Sequence, residues 1–124
     1  MIIIKSIVII CDQSPIGRNS VIEAIRLGAG FLGLGEDINC KIVLTGDAVY
    51  FLSKYADPTT VGMDSLEEPL EMAELSDLEI LVLDSALEDS ALTTEDLIDY
   101  EKIKISNIED ITKLIEQADT SFRF

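Results

Sequence analysis

Histidine is absent from this chain of 124 residues, and cysteine occurs only twice. Without histidine, Ser-His and Cys-His nucleophile pairs and most general bases that act near neutral pH are excluded. Cys11 and Cys40 are too few for a disulfide framework, and a zinc site would need carboxylates as its remaining ligands. We therefore expect no metal site.

Long apolar runs are also absent, because none approaches the roughly 18 residues that a membrane-spanning helix needs. The opening "MIII" is followed at once by Lys5, which is not typical of a signal peptide. Hydrophobic residues make up 48% of the chain, enough for the core of one domain over residues 1–124. We expect a cytoplasmic protein that does not bind membranes.

Basic residues are scarce, with 9 Lys and Arg against 24 Asp and Glu, for a net charge of -15. Residues 1–55 hold five acids and five bases, so the whole excess lies in residues 56–124. Because affinity for phosphates comes from clustered Lys and Arg, direct binding to nucleic acid is disfavoured. The acidic half is either a solvated face or a docking surface for a basic partner.

Strand and helix patterns alternate along the chain. Residues 2–11 predict a buried strand, and Ser20 with Glu23 forms a capping box that predicts the start of a helix. Asp47 is expected to cap a helix after the second strand, and Asn107 is expected to cap the last helix. Residues 85–97 are expected to form a polar loop, with a short helix beginning near Thr94. The remaining strands are predicted at "CKIVLTG", "LEILVLD", "KIKI" and "SFRF".

This alternation favours a parallel sheet with right-handed helical crossovers. We predict a single three-layer α/β domain with about five mostly parallel strands, helices on both faces and a roughly flavodoxin-like winding. Gly28, Gly30 and Gly33 match G-x-G-x-x-G, but they follow a helix and precede a strand, the reverse of the dinucleotide-binding order. We read them as helix-end and close-packing residues and expect no cofactor.

The candidate site residues follow strand ends, where open α/β sheets take up ligands. Cys11 ends the first strand and is either a reactive thiol or a small buried apolar residue. Asp12, Asp47 and Asp84 each follow a strand and are expected to gather at one edge. Such a group could hold Mg²⁺, but Asp47 is equally explained as a helix cap and the chain has no P-loop, so we still expect no metal. Arg18 precedes the first helix and could contact a small anion.

The order of these segments resembles the DsrE/DsrF family of small sulfur-relay proteins, and most closely its DsrF/TusC branch. The resemblance covers nearly the full length. It rests on "IVIICDQSPIGRNSVIEAI" with its Pro-x-Gly turn, a strand leading into "GDAV", "LEILVLDSALEDSAL", and the ending "LIEQADTSFRF".

The resemblance implies trimers or hexamers, either of this chain alone or with DsrE- and DsrH-type subunits. In that family, the complex passes persulfide sulfur toward tRNA 2-thiolation or handles sulfur for oxidation, and the carrier is a cysteine at the end of the third strand. Here residues 81–85 contain no cysteine, with Asp84 and Ser85 at that place, and the following loop carries Glu88 and Asp89.

Three hypotheses follow. The first is a structural or partner-binding subunit without a carrier thiol of its own. The second is a sulfur carrier or sulfurtransferase that uses Cys11, and the third is a free-standing homo-oligomer that binds a small anion near Arg18.

Overall fold

The computed structural model describes residues 4–15, 19–55 and 67–124. The strands are β1 (Ser6–Cys11), β2 (Asn39–Leu44), β3 (Glu79–Leu83), β4 (Ile103–Ser106) and β5 (Thr120–Arg123). Within the described residues, the α-helices are α1 (Ser20–Leu32), α2 (Glu67–Leu75), α3 (Asp84–Asp89) and α4 (Ile108–Gln117), and 3₁₀ helices cover Gly46–Leu52 and Thr94–Asp96. In the described part of the chain, no helix is long and apolar enough to cross a membrane.

The five strands form one parallel sheet in the order β4-β3-β2-β1-β5, which confirms the predicted sheet. A flavodoxin-like sheet has the strand order 2-1-3-4-5, so this sheet differs from the predicted flavodoxin-like winding in its strand order. Here the chain moves in one direction from β1 to β4 and then crosses back to the far side of β1. Because such crossovers are right-handed, α1, α2 and α3 lie on one face and α4 lies on the other.

Two apolar clusters separate the three layers, as expected for helices on both faces. The larger cluster joins the sheet to α1, α2, α3 and the 3₁₀ helix Gly46–Leu52. The smaller cluster has Val8, Val43 and Leu81 of the sheet beneath Ile111 of α4. Alternate side chains along each strand point to opposite faces, so the continuous apolar strands "IVII" and "EILVL" serve both clusters.

The start of α1 differs from its prediction. Asn19 is the N-cap, its side chain makes no capping bond, and the Ser20 hydroxyl instead donates to Gln13 Oε1 at 3.5 Å. The predicted capping box is therefore wrong, and burial of the helix against the sheet determines where α1 lies. The predicted close packing is confirmed at Gly28, where a Cβ atom would lie 3.1 Å from Leu78 Cδ1. It is wrong for Gly30, which lies on the exposed side of α1 with no atom within 4 Å of its Cβ position.

Three further predictions have mixed outcomes. The segment after β3 is a helix from its first residue and not a polar loop, because Ala86 and Leu87 are buried against the core. The helix after β2 is a 3₁₀ helix whose N-cap is Thr45, so Asp47 is not its cap. Asn107 does cap α4, since its Oδ1 accepts the Asp110 N–H at 2.8 Å.

Candidate functional site

The carboxyl ends of β1 and β2 lie side by side, and a tight turn leads out of β2. The Thr45 N–H donates to the Cys11 carbonyl at 2.9 Å, which aligns the two strand ends. The next residue, Gly46, has φ +52°, and a Cβ atom on it would lie 3.2 Å from the Asp12 carbonyl oxygen. Only glycine adopts this conformation without strain, so Gly46 sets the path of the chain into the 3₁₀ helix Gly46–Leu52.

A surface cavity of about 240 Å³ lies between this turn and α3, and we call it the carboxyl-edge cavity. Its lining residues are Gly46, Asp47, Leu83, Ser85, Ala86, Asp89 and Ser90. The Tyr50 hydroxyl donates to the Ser90 carbonyl at 3.2 Å, and this bond ties the end of α3 to the 3₁₀ helix. The small side chains of the lining leave the space open. The polar side chains among its described residues are carboxylates and hydroxyls, and none of these residues is Lys or Arg.

The structure brings only part of the predicted site together. Asp47 and Ser85 line the cavity, but Asp84 does not, and its Oδ1 accepts the Ser85 N–H at 2.7 Å. Asp12 instead pairs with Arg123, whose Nε donates to it at 3.1 Å. The three carboxylates follow strands at the same edge but do not form the Mg²⁺ site that their positions allowed. Across residues 4–15, 19–55 and 67–124, no three His, Cys, Asp or Glu residues are placed to hold a metal.

The predicted site residue Arg18 lies outside the described residues. The sequence interpretation also left out Gly46 and Ser90 as site residues and treated Asp89 only as part of an acidic loop. A glycine directly after a strand was the available signal for the turn. Nothing in the sequence indicated that α3 would bring Asp89 to the β2 turn, because that segment has the composition of a loop.

Both cysteines are buried. Cys11 has no exposed surface, and burial, reinforced by the neighbouring Asp12 carboxylate, raises its pKa to about 12. Cys40 lies at the opposite edge of the sheet, and burial raises its pKa to about 11. Because the thiolate is the reactive form, both thiols have the environment of structural cysteines.

The cavity's charge limits what it can hold. Asp47 and Asp89 lie in the lining, and none of its described residues is basic, so these residues would repel an anion such as a persulfide. A neutral or cationic group could instead accept or donate hydrogen bonds to the Asp and Ser oxygens. The described part of the cavity therefore suits a neutral or cationic group better than an anion.

Replacing Gly46 by alanine is expected to lower the free energy of unfolding by about 1–2 kcal/mol, because an alanine at positive φ is strained. Urea unfolding monitored by circular dichroism measures this change. Gly30→Ala is the matched control, since Gly30 lies in α1 with nothing near its Cβ position, and it should stabilise the helix. Equal effects of the two substitutions would contradict the assigned role of the turn.

Known proteins share this fold along almost the whole chain. The ychN protein from E. coli is 20% identical with a TM-score of 0.80, and the alignment covers 97% of this chain and 99% of that one. MTH1491 from Methanobacterium thermoautotrophicum, a protein of unknown function, is 13% identical with a TM-score of 0.72 over the same shares. No curated protein matches this sequence.

A sequence comparison identifies the family. The model of the DsrE/DsrF-like family matches residues 5–124, which includes all five strands and the carboxyl-edge cavity. The match agrees with the resemblance seen in the opening βα unit and in the segment around β3. This chain is a member of the DsrE/DsrF-like family.

Proposed function

We propose that this protein is a partner-binding subunit of a sulfur-relay complex and does not itself carry the sulfur. The observation that carries the proposal is the chemistry at the end of β3. Where the family resemblance places a carrier cysteine, this chain has Asp84 and Ser85 at the start of α3. A carboxylate or a hydroxyl cannot hold persulfide sulfur, so a thiol must come from another subunit.

The burial of both native thiols supports this proposal over a carrier that uses Cys11. Sulfur transfer to a thiol requires attack by its thiolate on the sulfur of a persulfide or polysulfide. With a pKa of about 12 and no exposed surface, Cys11 offers almost no thiolate and no path for the donor. The third hypothesis, anion binding near Arg18, rests on a residue outside the described part of the chain.

Placement in the DsrF/TusC branch is part of the same proposal. The resemblance to that branch implies a subunit that does not carry sulfur. Such a subunit would act beside DsrE- and DsrH-type subunits in tRNA 2-thiolation or sulfur oxidation. The acidic cavity at the carboxyl edge gives a second argument for a partner, because Asp47 and Asp89 suit a cationic side chain. A cytoplasmic location and an assembly of three or six chains belong to the proposal as well.

Intact mass after treatment with inorganic polysulfide tests the absence of a carrier. In this reaction a thiolate would bond to a terminal sulfur and release the shortened polysulfide anion. The folded chain is expected to gain no sulfur, whereas the chain unfolded in urea should gain sulfur on both cysteines. A folded chain that gains one sulfur atom, and loses this ability on Cys11→Ala, would contradict the proposal and establish the carrier hypothesis.

Isolation of the tagged chain from its native cell, followed by mass measurement of the intact assembly, tests the partner. A second subunit with a cysteine at the end of its own third strand is expected. An assembly made only of this chain would instead favour the free-standing homo-oligomer.

A further inference from the structure

The outer edge of β5 has the features of a strand that pairs with another strand. In a β-strand, alternate residues direct their N–H and C=O groups to opposite sides. The Phe124 N–H donates to the Ile10 carbonyl at 2.8 Å, so Phe124 and Phe122 bond toward β1. The N–H and C=O groups of Ser121 and Arg123 therefore point away from the sheet, and β5 is the last strand on this side in the described residues.

An aromatic pair lies beside this edge. The rings of Phe31 in α1 and Phe122 in β5 are stacked with centroids 5.9 Å apart, and Phe122 remains 40% exposed. Leu34, just past the end of α1, is 73% exposed. The body of α1 packs over β1 and β2, so in the described structure Phe31 reaches toward β5 without the helix covering the strand's outer edge.

The usual protection of an edge strand is weakened here. A charged side chain on an edge opposes pairing with another chain. Arg123 is the only charged residue of β5, and both its Nε and its Nη2 donate to Asp12 at the end of β1. This pair directs the guanidinium toward the end of β1 and offsets its charge, while the Arg123 side chain stays exposed.

Charge distinguishes the two edges of the sheet. Beyond β4, a surface groove is lined by Asp77, Asp99 and Glu101 with Lys102, next to the acidic helix α2. Two copies of this chain would repel each other there. At the β5 edge, α1 and β1 belong to the charge-balanced first 55 residues, so a second copy meets less repulsion there than beside β4 and α2.

We propose that two copies of this chain pair antiparallel through β5 and form one continuous ten-stranded sheet. With the two-fold axis at Phe122, Ser121 lies opposite Arg123 of the second copy, and each such pair exchanges two backbone hydrogen bonds. Phe122 then faces its own counterpart, with Cα atoms about 4.5 Å apart as in a non-hydrogen-bonded pair. The four rings of Phe31 and Phe122 from both copies form one row on the α1 face.

Sedimentation equilibrium of the full chain at micromolar concentration tests the proposal. The native chain, with a mass of 13.6 kDa, is expected to sediment as a dimer or as an even-numbered assembly. Ser121→Pro removes an outward N–H that β1 does not use, so the fold is kept and the mass should fall to half its native value. Ser121→Ala keeps this N–H and should keep the native mass. A trimer has no two-fold axis, so of the assemblies of three or six chains proposed above, this pairing requires six. A native monomer or trimer, or a Ser121→Pro variant with unchanged mass, would overturn the pairing.

A cysteine at position 122 tests the register independently of any loss of stability. Disulfides join Cα atoms that are roughly 4.4–6.8 Å apart, so Phe122→Cys should form a covalent dimer in air. Thr120→Cys is the control, because residue 120 would lie opposite residue 124 of the second copy and away from its own counterpart. Equal yields from the two variants, or no covalent dimer from Phe122→Cys, would overturn the two-fold pairing.

Discussion

Replacing Ser85 by cysteine is expected to give a thiol that iodoacetamide alkylates roughly a hundredfold or more faster, near pH 8, than either native cysteine of the folded chain. Ser85 is exposed at the carboxyl-edge cavity, so a thiol there keeps a pKa much closer to its ordinary value. Burial raises the pKa values of Cys11 and Cys40 to about 12 and about 11, which leaves only a trace of each as thiolate. Mass spectrometry of the alkylated peptides gives the three rates in one experiment.

The surrounding carboxylates should slow the new thiol. Asp47 and Asp89 line the same cavity and disfavour a thiolate, so Asp89→Asn in the Ser85→Cys background should raise the alkylation rate. Lys113→Cys, on the exposed side of α4, supplies the matched control, since Asp89→Asn should leave its rate unchanged. Alkylation of Ser85→Cys at the rate of Cys11 would mean that the edge of β3 is closed to small molecules.

The second large effect is a loss of stability in alkali. The pKa of Cys11 is raised from 9.0 to about 12 in the folded chain, so above pH 9 the unfolded chain releases a proton that the folded chain keeps. The stabilising contribution is therefore complete below about pH 9 and is lost as the pH rises toward 12. At about 1.36 kcal/mol per pH unit, Cys11 alone lowers the free energy of unfolding by about 4 kcal/mol across this range.

Urea unfolding at a series of pH values between 8 and 11 measures this slope. Cys11→Ala should cost about 1 kcal/mol near pH 8, because the buried sulfur leaves a small void, but its stability should then fall less steeply with pH. Cys40→Ala is the comparison, with a smaller reduction of the slope, since the pKa of Cys40 rises only to about 11. A slope that neither substitution changes would assign the alkaline loss to other groups, such as Tyr100, whose pKa burial raises to about 12.

Several local features were readable from the sequence because they depend on neighbouring residues. Asn107 caps α4 because its Oδ1 accepts the backbone N–H of Asp110, three residues later. Gly33 likewise marks the end of α1. The continuous apolar strands predicted a sheet covered on both faces, and their alternation with helices predicted parallel pairing. The charge asymmetry between the two halves of the chain is likewise a property of the sequence alone.

Other features depend on groups that are distant in the sequence. Asp12 seemed free to join Asp47 and Asp84, but β5 lies beside β1 and brings Arg123 to it from 111 positions away. The segment after β3 has the composition of a loop, yet burial of Ala86 and Leu87 makes it a helix and places Asp89 beside Asp47. Local pattern cannot anticipate either contact, because the strand order decides both.

The missing histidine, the two cysteines and the absence of a thiol at residues 81–85 follow from the sequence by itself, and so does the resemblance to a sulfur-relay family. Whether Cys11 is reactive was open at that level, because a residue at a strand end can face either layer of the protein. The tertiary structure adds the environment: Cys11 faces the larger core cluster, where low polarity raises its pKa and disfavours the charged thiolate.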